Sequence, residues 1–165
     1  MSEPLRVEVL RRGRTWSPGA TQIDAWARAA LGRRAAGREL AVRIVGARES
    51  RRLNAHYRGR DRPTNVLSFP MSSAAQPQRP GAMASTAATG MPAALGDLVI
   101  CSPLVRREAQ LQRKSLRAHW AHLVVHGALH LIGYDHEHPR AARRMERREI
   151  AVLKRLGFQN PYRSV

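Results

Sequence analysis

The histidines of this chain are concentrated in one short segment. Six of the seven lie from His119 to His138, and His122, His126 and His130 follow one another at intervals of four residues. Residues four apart lie on the same face of an α-helix, so these three imidazoles are expected to project from one side of a helix. Neutral imidazole nitrogens are common ligands of zinc and similar ions. The spacing therefore predicts chemistry that depends on a metal ion.

A glycine and a further histidine follow this helical set. Gly133 is expected to end the helix, and a chain reversal there would bring His136 back toward His126 and His130. Three imidazoles with a fourth coordination position open for water form a common type of catalytic zinc site. The spacing predicts these three histidines as the metal ligands. It predicts His122 as a structural residue or a neighbour of the ligands, although His122 could instead pair with His126.

One position separates this pattern from that of a known class of zinc proteases. The histidines and the glycine match the long motif H-E-x-x-H-x-x-G-x-x-H except at residue 127, which is glycine. In the proteases that position holds the glutamate that activates the metal-bound water as a general base. Gly127 therefore leaves the metal ligands in place but disfavours a metalloprotease, so a different reaction is expected.

The composition indicates an anionic partner. The 165 residues include 29 lysines and arginines against 12 acidic residues, a formal net charge of +17, and 27 of the 29 basic residues are arginines. Guanidinium groups bind phosphates in a bidentate manner that lysine cannot reproduce. The single cysteine, Cys101, excludes a disulfide within the chain and is expected to be a small buried residue. The chain shows neither a secretory leader nor a long apolar run, which predicts a cytoplasmic protein that does not cross a membrane.

The elements that position the histidines can be placed from apolar periodicity and from capping residues. Strands are predicted at residues 5–9, 40–45, 65–69 and 98–100. Helices are predicted from an N-cap at Ser17 to residue 31, and at residues 49–57, 102–112, 116–132 and 139–156, with Ser102 and Ser115 as further N-caps. A segment rich in Ala, Ser, Pro and Gly at residues 72–94 is expected to form a surface loop. The order predicts one α+β domain over residues 1–165, with a small mixed sheet and helices packed on it.

Four sequence blocks together resemble one known family. They are HGALHLIGYDH at residues 126–136, YRGRDRPTNVLSFP at 57–70, LGDLVIC at 95–101 and HWAH at 119–122. These blocks resemble the YbeY family of bacterial endoribonucleases and rRNA maturation factors, and the histidine block is highly specific. The order of the strands and the last helix extend the resemblance over nearly the whole chain.

The resemblance implies a fold, a reaction and a set of site residues. It implies an α+β fold with a zincin-like metal helix, one divalent metal ion, expected to be zinc, and hydrolysis of phosphodiester bonds in single-stranded RNA. It also implies His126, His130 and His136 as the metal ligands and Arg58 as the functional arginine beside the metal. The implied role is maturation of the 16S rRNA 3′ end and ribosome quality control, with rRNA and the small ribosomal subunit as partners. The loop at residues 72–94 is longer than such a family member would need, so we expect it to have no catalytic part.

Two of these functional assignments have alternatives. A ribosome-assembly factor that binds without cleaving, and whose metal is structural, is the alternative function. The open ligand position favours the enzyme, because structural zinc sites usually have four protein ligands. Arg58 could be an ordinary surface arginine. The oligomeric state and the metal used in cells are left open.

Polar residues near the motifs are assigned mostly to structure. Thr64, Asn65 and Ser68 are expected to make hydrogen bonds in turns and at strand edges rather than to contact substrate. Asp135 could either orient a ligand imidazole or cap the turn after the helix. The last helix is basic where relatives often have acidic residues, and its arginines are expected to form a solvated face: Arg140, Arg143, Arg144, Arg147 and Arg148.

Overall fold

A mixed β-sheet forms one layer of the protein. The computed structural model describes residues 3–71 and 93–163. Within these ranges the strands are β1 (Arg6–Arg11), β2 (Arg38–Val45), β3 (Val66–Pro70) and β4 (Ala93–Cys101), in the spatial order β1-β2-β4-β3. β1, β2 and β4 run parallel, and β3 runs antiparallel to β4. The predicted mixed sheet is therefore confirmed.

Five α-helices in the described ranges pack on this sheet and on one another. They are α1 (Ala20–Leu31), α2 (Ala47–Arg58), α3 (Ser102–Leu111), α4 (Leu116–Leu131) and α5 (Pro139–Arg155), and a 3-10 turn at Gly32–Ala35 follows α1. None of the helices in the described ranges has the length and apolar character that a membrane span requires. α4 contacts α1, α3, α5, β3 and β4, and its Trp120, Val124 and Ala128 are fully buried. The predicted histidine helix thus lies at the centre of an α+β fold, which confirms the predicted class.

Both ends of α4 are fixed by the residues that the sequence indicates. Ser115 Oγ accepts a hydrogen bond from the amide of Ala118 at 3.1 Å, which makes it the N-cap. At the other end Gly133 has a φ of +99°, and its amide donates to the carbonyl oxygen of His130 at 3.1 Å. Glycine adopts this conformation without the steric cost that a side chain brings. The predicted chain reversal after the helix is therefore present.

The predicted start of α1 at Ser17 is wrong. The helix begins at Ala20, and Gly19 takes the N-cap position. Arg11 at the end of β1 explains the difference, because its Nε donates to Ser17 Oγ at 3.1 Å and its Nη2 donates to the carbonyl oxygen of Pro18 at 2.6 Å. The serine hydroxyl is used to join β1 to the following turn, so it does not cap the helix.

β4 is longer than predicted. It spans Ala93–Cys101 instead of residues 98–100, so the last two residues of the predicted 72–94 loop belong to the strand. The remainder of that loop lies outside the described residues. Gly96 interrupts the apolar pattern, so the sequence did not indicate that the strand begins before residue 98. In the structure the φ of Gly96 is +147°, and a Cβ there would lie 2.4 Å from the carbonyl oxygen of Phe69. Glycine is required because β3 approaches the strand so closely.

Cys101 joins β4 to α3. It takes the N-cap position of α3, and Ser102, which was predicted as the cap, is the first residue of the helix. Cys101 is fully buried, in agreement with its expected role as a small core residue. Burial raises the pKa of its thiol, which disfavours the reactive thiolate.

Candidate metal centre

The structure brings the three predicted ligands together. His126 and His130 lie one turn apart on α4, and the reversal at Gly133 returns His136 to them. The Nε2 atoms of His126 and His130 are 3.1 Å apart, and Nδ1 of His136 is 3.0 Å from Nε2 of His130. All three nitrogens lie within 4.8 Å of one another. His136 is exposed and the other two are half-buried, so the group opens to solvent on one side.

These distances fit a divalent metal ion. Nitrogens bound tetrahedrally to zinc at roughly 2.0–2.1 Å are about 3.3 Å apart, close to the separations seen here. Burial, with the neighbouring imidazoles of His126 and His136, lowers the pKa of His130 to about 4. His130 is therefore neutral at neutral pH, and its lone pair is available to a metal. In the described ranges no fourth histidine, cysteine or carboxylate joins this group, and a three-ligand set is typical of a catalytic site.

A buried carboxylate contacts one histidine of the three-nitrogen group. Glu149 on α5 has no solvent exposure, and its Oε1 is 2.5 Å from Nδ1 of His126. Its Oε2 is 3.1 Å from Nε2 of His122 and also accepts a hydrogen bond from the hydroxyl of Tyr162. Burial raises the pKa of a carboxyl, but the hydrogen bonds from these three residues outweigh it and lower the pKa of Glu149 to about 2. The group is a carboxylate at neutral pH.

His122 and Tyr162 are neutral partners of this carboxylate. Burial lowers the pKa of His122, and burial together with the Glu149 carboxylate raises the pKa of Tyr162. His122 contacts Glu149 and does not take part in the three-nitrogen group. It therefore lies beside the three-nitrogen group without belonging to it.

Sequence reasoning missed Glu149 and Tyr162, although one of them leaves a signal. Glu149 stands on α5 at helical spacing with the buried residues Met145, Val152 and Leu153. A single acidic residue on an apolar stripe is expected to be paired inside the protein, because an unpaired buried charge is very costly. Tyr162 follows α5 in an irregular segment, and no comparable pattern marks it.

Arg58 lies near His130 of the three-histidine group. It is the last residue of α2, is exposed, and is followed by Gly59 in the left-handed conformation. Its positive charge contributes to the lowered pKa of His130, which places the guanidinium near the histidines. With Arg60 and Arg62 it lines a cavity of about 320 Å³. The arginine implied by the family resemblance thus lines a recess that carries three guanidinium groups.

Two residues that line this recess, Asn65 and Glu108, belong to a second polar network. Glu108 Oε2 is 2.7 Å from Nε2 of His119 and accepts a hydrogen bond from Nδ2 of Asn65 at 3.1 Å. Burial raises the pKa of Glu108, but these hydrogen bonds outweigh it and lower the pKa below its usual value. Asn65 Oδ1 also accepts from the amide of Val66 at 2.7 Å. Glu108 and His119 therefore fix the start of β3, a role that sequence reasoning missed.

The other polar residues of the 57–70 block bond within the protein. The amide of Thr64 donates to Ser50 Oγ at 2.9 Å, and that hydroxyl donates to the carbonyl oxygen of Thr64 at 2.9 Å. Ser68 Oγ donates to the carbonyl oxygen of Gly127 at 3.3 Å. These contacts match the turn and strand-edge roles predicted for Thr64 and Ser68.

The structure also decides between the two roles considered for Asp135. Its Oδ1 accepts a hydrogen bond from the amide of Glu137 at 3.0 Å, a contact typical of a turn. Backbone hydrogen bonds from Glu137 and His136 lower the pKa of this carboxyl. Asp135 therefore shapes the segment that carries His136.

The basic residues of α5 face solvent. Arg140, Arg143, Arg144 and Arg147 are exposed, and Arg148 is half-buried. The helix buries its opposite side, which carries Met145 and Glu149, against the rest of the protein. This agrees with the predicted solvated face.

Comparisons with known proteins identify the family of this chain. The model of the family described as endoribonuclease YbeY matches residues 18–157. A protein described as endoribonuclease YbeY from Halorhodospira halophila is 50% identical over 146 residues, which are 88% of this chain and 88% of that protein. The solution structure of TM1509 from Thermotoga maritima is similar with a TM-score of 0.54, covering 95% of this chain and 99% of that one. At 20% identity this last likeness supports the fold alone. The chain therefore belongs to the endoribonuclease YbeY family, which confirms the predicted family and the predicted class of enzyme, a hydrolase that acts on RNA.

Proposed function

We propose that this protein cleaves single-stranded RNA with the help of one divalent metal ion, held by His126, His130 and His136. The observation that carries the proposal is the convergence of three imidazole nitrogens, separated by 3.0 and 3.1 Å along the group, at a surface that is open to solvent. Zinc is the ion that we favour, because three neutral imidazoles suit its tetrahedral geometry.

The surrounding residues suit phosphodiester hydrolysis. A divalent ion would supply Lewis-acid activation of water and of the phosphoryl oxygens. Phosphoryl transfer needs positioning and charge neutralisation more than covalent catalysis. Arg58 stands near the histidines and can neutralise charge that develops on the phosphoryl oxygens, with two parallel hydrogen bonds from its guanidinium. Gly127 places no carboxylate where the zinc proteases have their general base, so peptide hydrolysis is not supported.

The charge of the chain supports binding of an RNA backbone. A formal net charge of +17 attracts the phosphate backbone electrostatically. This attraction does not depend on the RNA sequence and becomes weaker as the salt concentration rises. The recess lined by Arg58, Arg60 and Arg62 has a volume of about 320 Å³, at the small end of ligand-binding pockets. Its three guanidinium groups are suited to contact phosphates of an RNA backbone.

Within this reaction class we propose a role in 16S rRNA maturation. The family membership supports cleavage at the 3′ end of this rRNA and ribosome quality control, with the small ribosomal subunit as the partner. The cytoplasm is then the compartment of action. An excess of arginines of this size is of the kind that contacts rRNA.

The proposed reaction can be tested with purified protein. A labelled RNA is supplied as a single strand and as a duplex of the same sequence, each with and without a chelator, and zinc is then returned to the chelated samples. We expect cleavage of the single strand alone, its loss with the chelator and its recovery with zinc. Binding of the RNA without cleavage under every condition would contradict the enzyme and support the assembly factor. Casein in place of RNA is expected to remain intact.

A further inference from the structure

Glu149 is a charged group in a place where charge is costly. Its side chain has no solvent exposure, and it lies on the same buried stripe of α5 as Met145, Val152 and Leu153. An ionised carboxylate in such surroundings is stable only when its oxygens are well supplied with hydrogen bonds. The partners of Glu149 must therefore account for its presence.

Three side chains from two other segments supply those hydrogen bonds. Nδ1 of His126 lies 2.5 Å from Oε1, Nε2 of His122 lies 3.1 Å from Oε2, and the Tyr162 hydroxyl also reaches Oε2. A carboxylate can only accept, so each of these atoms must carry the proton. The contact therefore fixes a proton on Nδ1 of His126 and another on Nε2 of His122. Nδ1 of His122 is buried without a partner among the described residues, which suits a lone pair better than a second proton.

The proton on Nδ1 of His126 has a direct consequence for the metal centre. A neutral imidazole with Nδ1 protonated has its lone pair on Nε2. That atom is the one that lies 3.1 Å from Nε2 of His130. The Glu149 carboxylate thus determines which nitrogen of His126 faces the other two ligands.

We propose that Glu149 is a positioning residue of the metal centre, which holds the tautomer and the ring orientation of His126, with His122 and Tyr162 holding Glu149 in turn. This inference rests on the proposed metal centre. Partners of this kind raise the basicity of a ligating imidazole, and their loss weakens metal binding by roughly 10- to 100-fold. In this arrangement the role of His122 is to hold the Glu149 carboxylate in place by a hydrogen bond.

The segment after α5 takes part through Tyr162. Lys114 Nζ donates to the carbonyl oxygen of Pro161 at 2.6 Å, and the amide of Tyr162 donates to Asn160 Oδ1 at 2.9 Å. These contacts hold the segment so that the Tyr162 hydroxyl reaches Glu149, although the tyrosine side chain is partly exposed. A residue outside the regular elements therefore completes the support of the ligand.

The same residues could instead bind a second ion. His122, His126 and Glu149 each offer one ligand atom within a single group. However, the 2.5 Å between Nδ1 of His126 and Oε1 of Glu149 is shorter than the roughly 3.3 Å expected between two ligands of one zinc ion. It is the distance of a strong hydrogen bond between an imidazole and a carboxylate. The geometry favours the hydrogen-bonded arrangement over a second ion.

The test compares zinc affinity among four variants of the full chain, measured by competition with a chromophoric chelator. Glu149→Gln keeps the shape of the side chain but removes its charge and presents an amide donor to groups that already donate. Tyr162→Phe removes one hydroxyl from a partly exposed ring, so the fold is not endangered. Glu146→Gln makes the same change of charge at an exposed site on α5 and serves as the matched control. His130→Ala tests the metal centre itself.

We expect one zinc ion per wild-type chain, an affinity lowered 10- to 100-fold in Glu149→Gln, and a smaller loss in Tyr162→Phe. Glu146→Gln should bind as the wild type does. In ¹⁵N NMR spectra of the metal-free protein, His126 should show a proton on Nδ1 in the wild type and a mixture of tautomers in Glu149→Gln. A purely structural role for Glu149 would lower the melting temperature without changing the tautomer.

Wild-type affinity together with an unchanged tautomer in Glu149→Gln would overturn the proposal, as would two ions in the wild type and one in that variant. If Glu149→Gln does not fold, Tyr162→Phe decides, and wild-type affinity in it refutes the arrangement. Full zinc binding by His130→Ala would show instead that the proposed metal centre is wrong, so the two failures are distinguishable.

Discussion

Ser68 on β3 donates a hydrogen bond from its Oγ to the carbonyl oxygen of Gly127, 3.3 Å away on α4. Gly127 directly follows His126, and a Cβ there would lie 2.8 Å from Cδ2 of Leu98 and 3.4 Å from Ser68 Oγ. The turn of α4 that carries His126 is therefore pressed directly onto β3 and β4. The glycine at residue 127 therefore has two effects: it removes the general base of the zinc proteases, and it allows α4 to pack closely on the sheet.

Gly127→Glu, which restores the protease motif, is expected to damage the protein instead of creating a protease. The new side chain would enter space occupied by Leu98, which is fully buried, and would place an unpaired carboxylate there. Overpacking and the buried charge should lower the free energy of unfolding by about 2 kcal/mol or more. Denaturant unfolding measures this loss, and a casein assay should show no hydrolysis. A stable variant that hydrolyses casein would contradict this account of the glycine.

The parts of the site that the sequence predicts are those with local causes. The spacing of His126 and His130 follows from the helical period, and the return of His136 follows from the conformation that Gly133 adopts. The N-cap at Ser115 depends on a contact with Ala118, three residues away. Each of these features depends only on residues that are close together in the chain, so the sequence pattern is enough to predict it.

The parts that the sequence did not reveal depend on tertiary contacts. Glu149 meets His126 across 23 residues, and Glu108 meets Asn65 across 43. The cap predicted at Ser17 failed for the same reason, because Arg11 from β1 takes the hydroxyl. Rules based on periodicity and capping consider only neighbours in the sequence. They therefore miss partners that come into contact only when the helices and strands pack together.

Replacement of any one of the three proposed ligands by alanine is expected to remove the metal. Each of the three supplies one nitrogen to the group, and two imidazoles alone leave the ion weakly held. His122→Ala should retain the metal, since its ring contacts Glu149 rather than the three-nitrogen group. Elemental analysis of each purified variant gives the stoichiometry. Full metal content in the His136→Ala protein would refute this set of ligands.

Glu108 is expected to make stability depend on pH. Its pKa in the folded protein is lower than its usual value of 4.5, so the carboxylate stabilises the fold above that pH. This contribution is lost as the pH falls through the lowered pKa. Glu108→Gln weakens the hydrogen bonds with His119 and Asn65 and should reduce the free energy of unfolding by about 1–3 kcal/mol at pH 7.

The difference between wild type and Glu108→Gln should shrink as the pH is lowered below 4.5, because the wild-type carboxyl then becomes neutral as well. Denaturant unfolding of the metal-free proteins at a series of pH values measures the difference. Glu8→Gln, at an exposed site on β1, is the control and should change stability little. A difference that is independent of pH would show that Glu108 acts through shape alone.

Arg58 is expected to contribute mainly to the rate of cleavage. If its guanidinium neutralises charge that develops on the phosphoryl oxygens, its benefit is greater in the transition state than in the bound substrate. Arg58→Ala should then lower the single-turnover rate at saturating protein by roughly 10²-fold or more. RNA affinity should change little, because many other arginines share the attraction of the backbone. Metal content should equal that of the wild type, since the arginine is not a ligand.

Two further variants separate the chemistry of Arg58 from its charge. Arg58→Lys should recover only part of the rate, because an ammonium group cannot form the paired hydrogen bonds of a guanidinium. Arg147→Ala removes the same charge from the exposed face of α5 and should leave the single-turnover rate unchanged. A binding titration and metal analysis of the same preparations accompany the rates. If Arg58→Ala cleaves as fast as the wild type at saturation, Arg58 only helps to bind RNA, and charge neutralisation in the transition state must come from other groups.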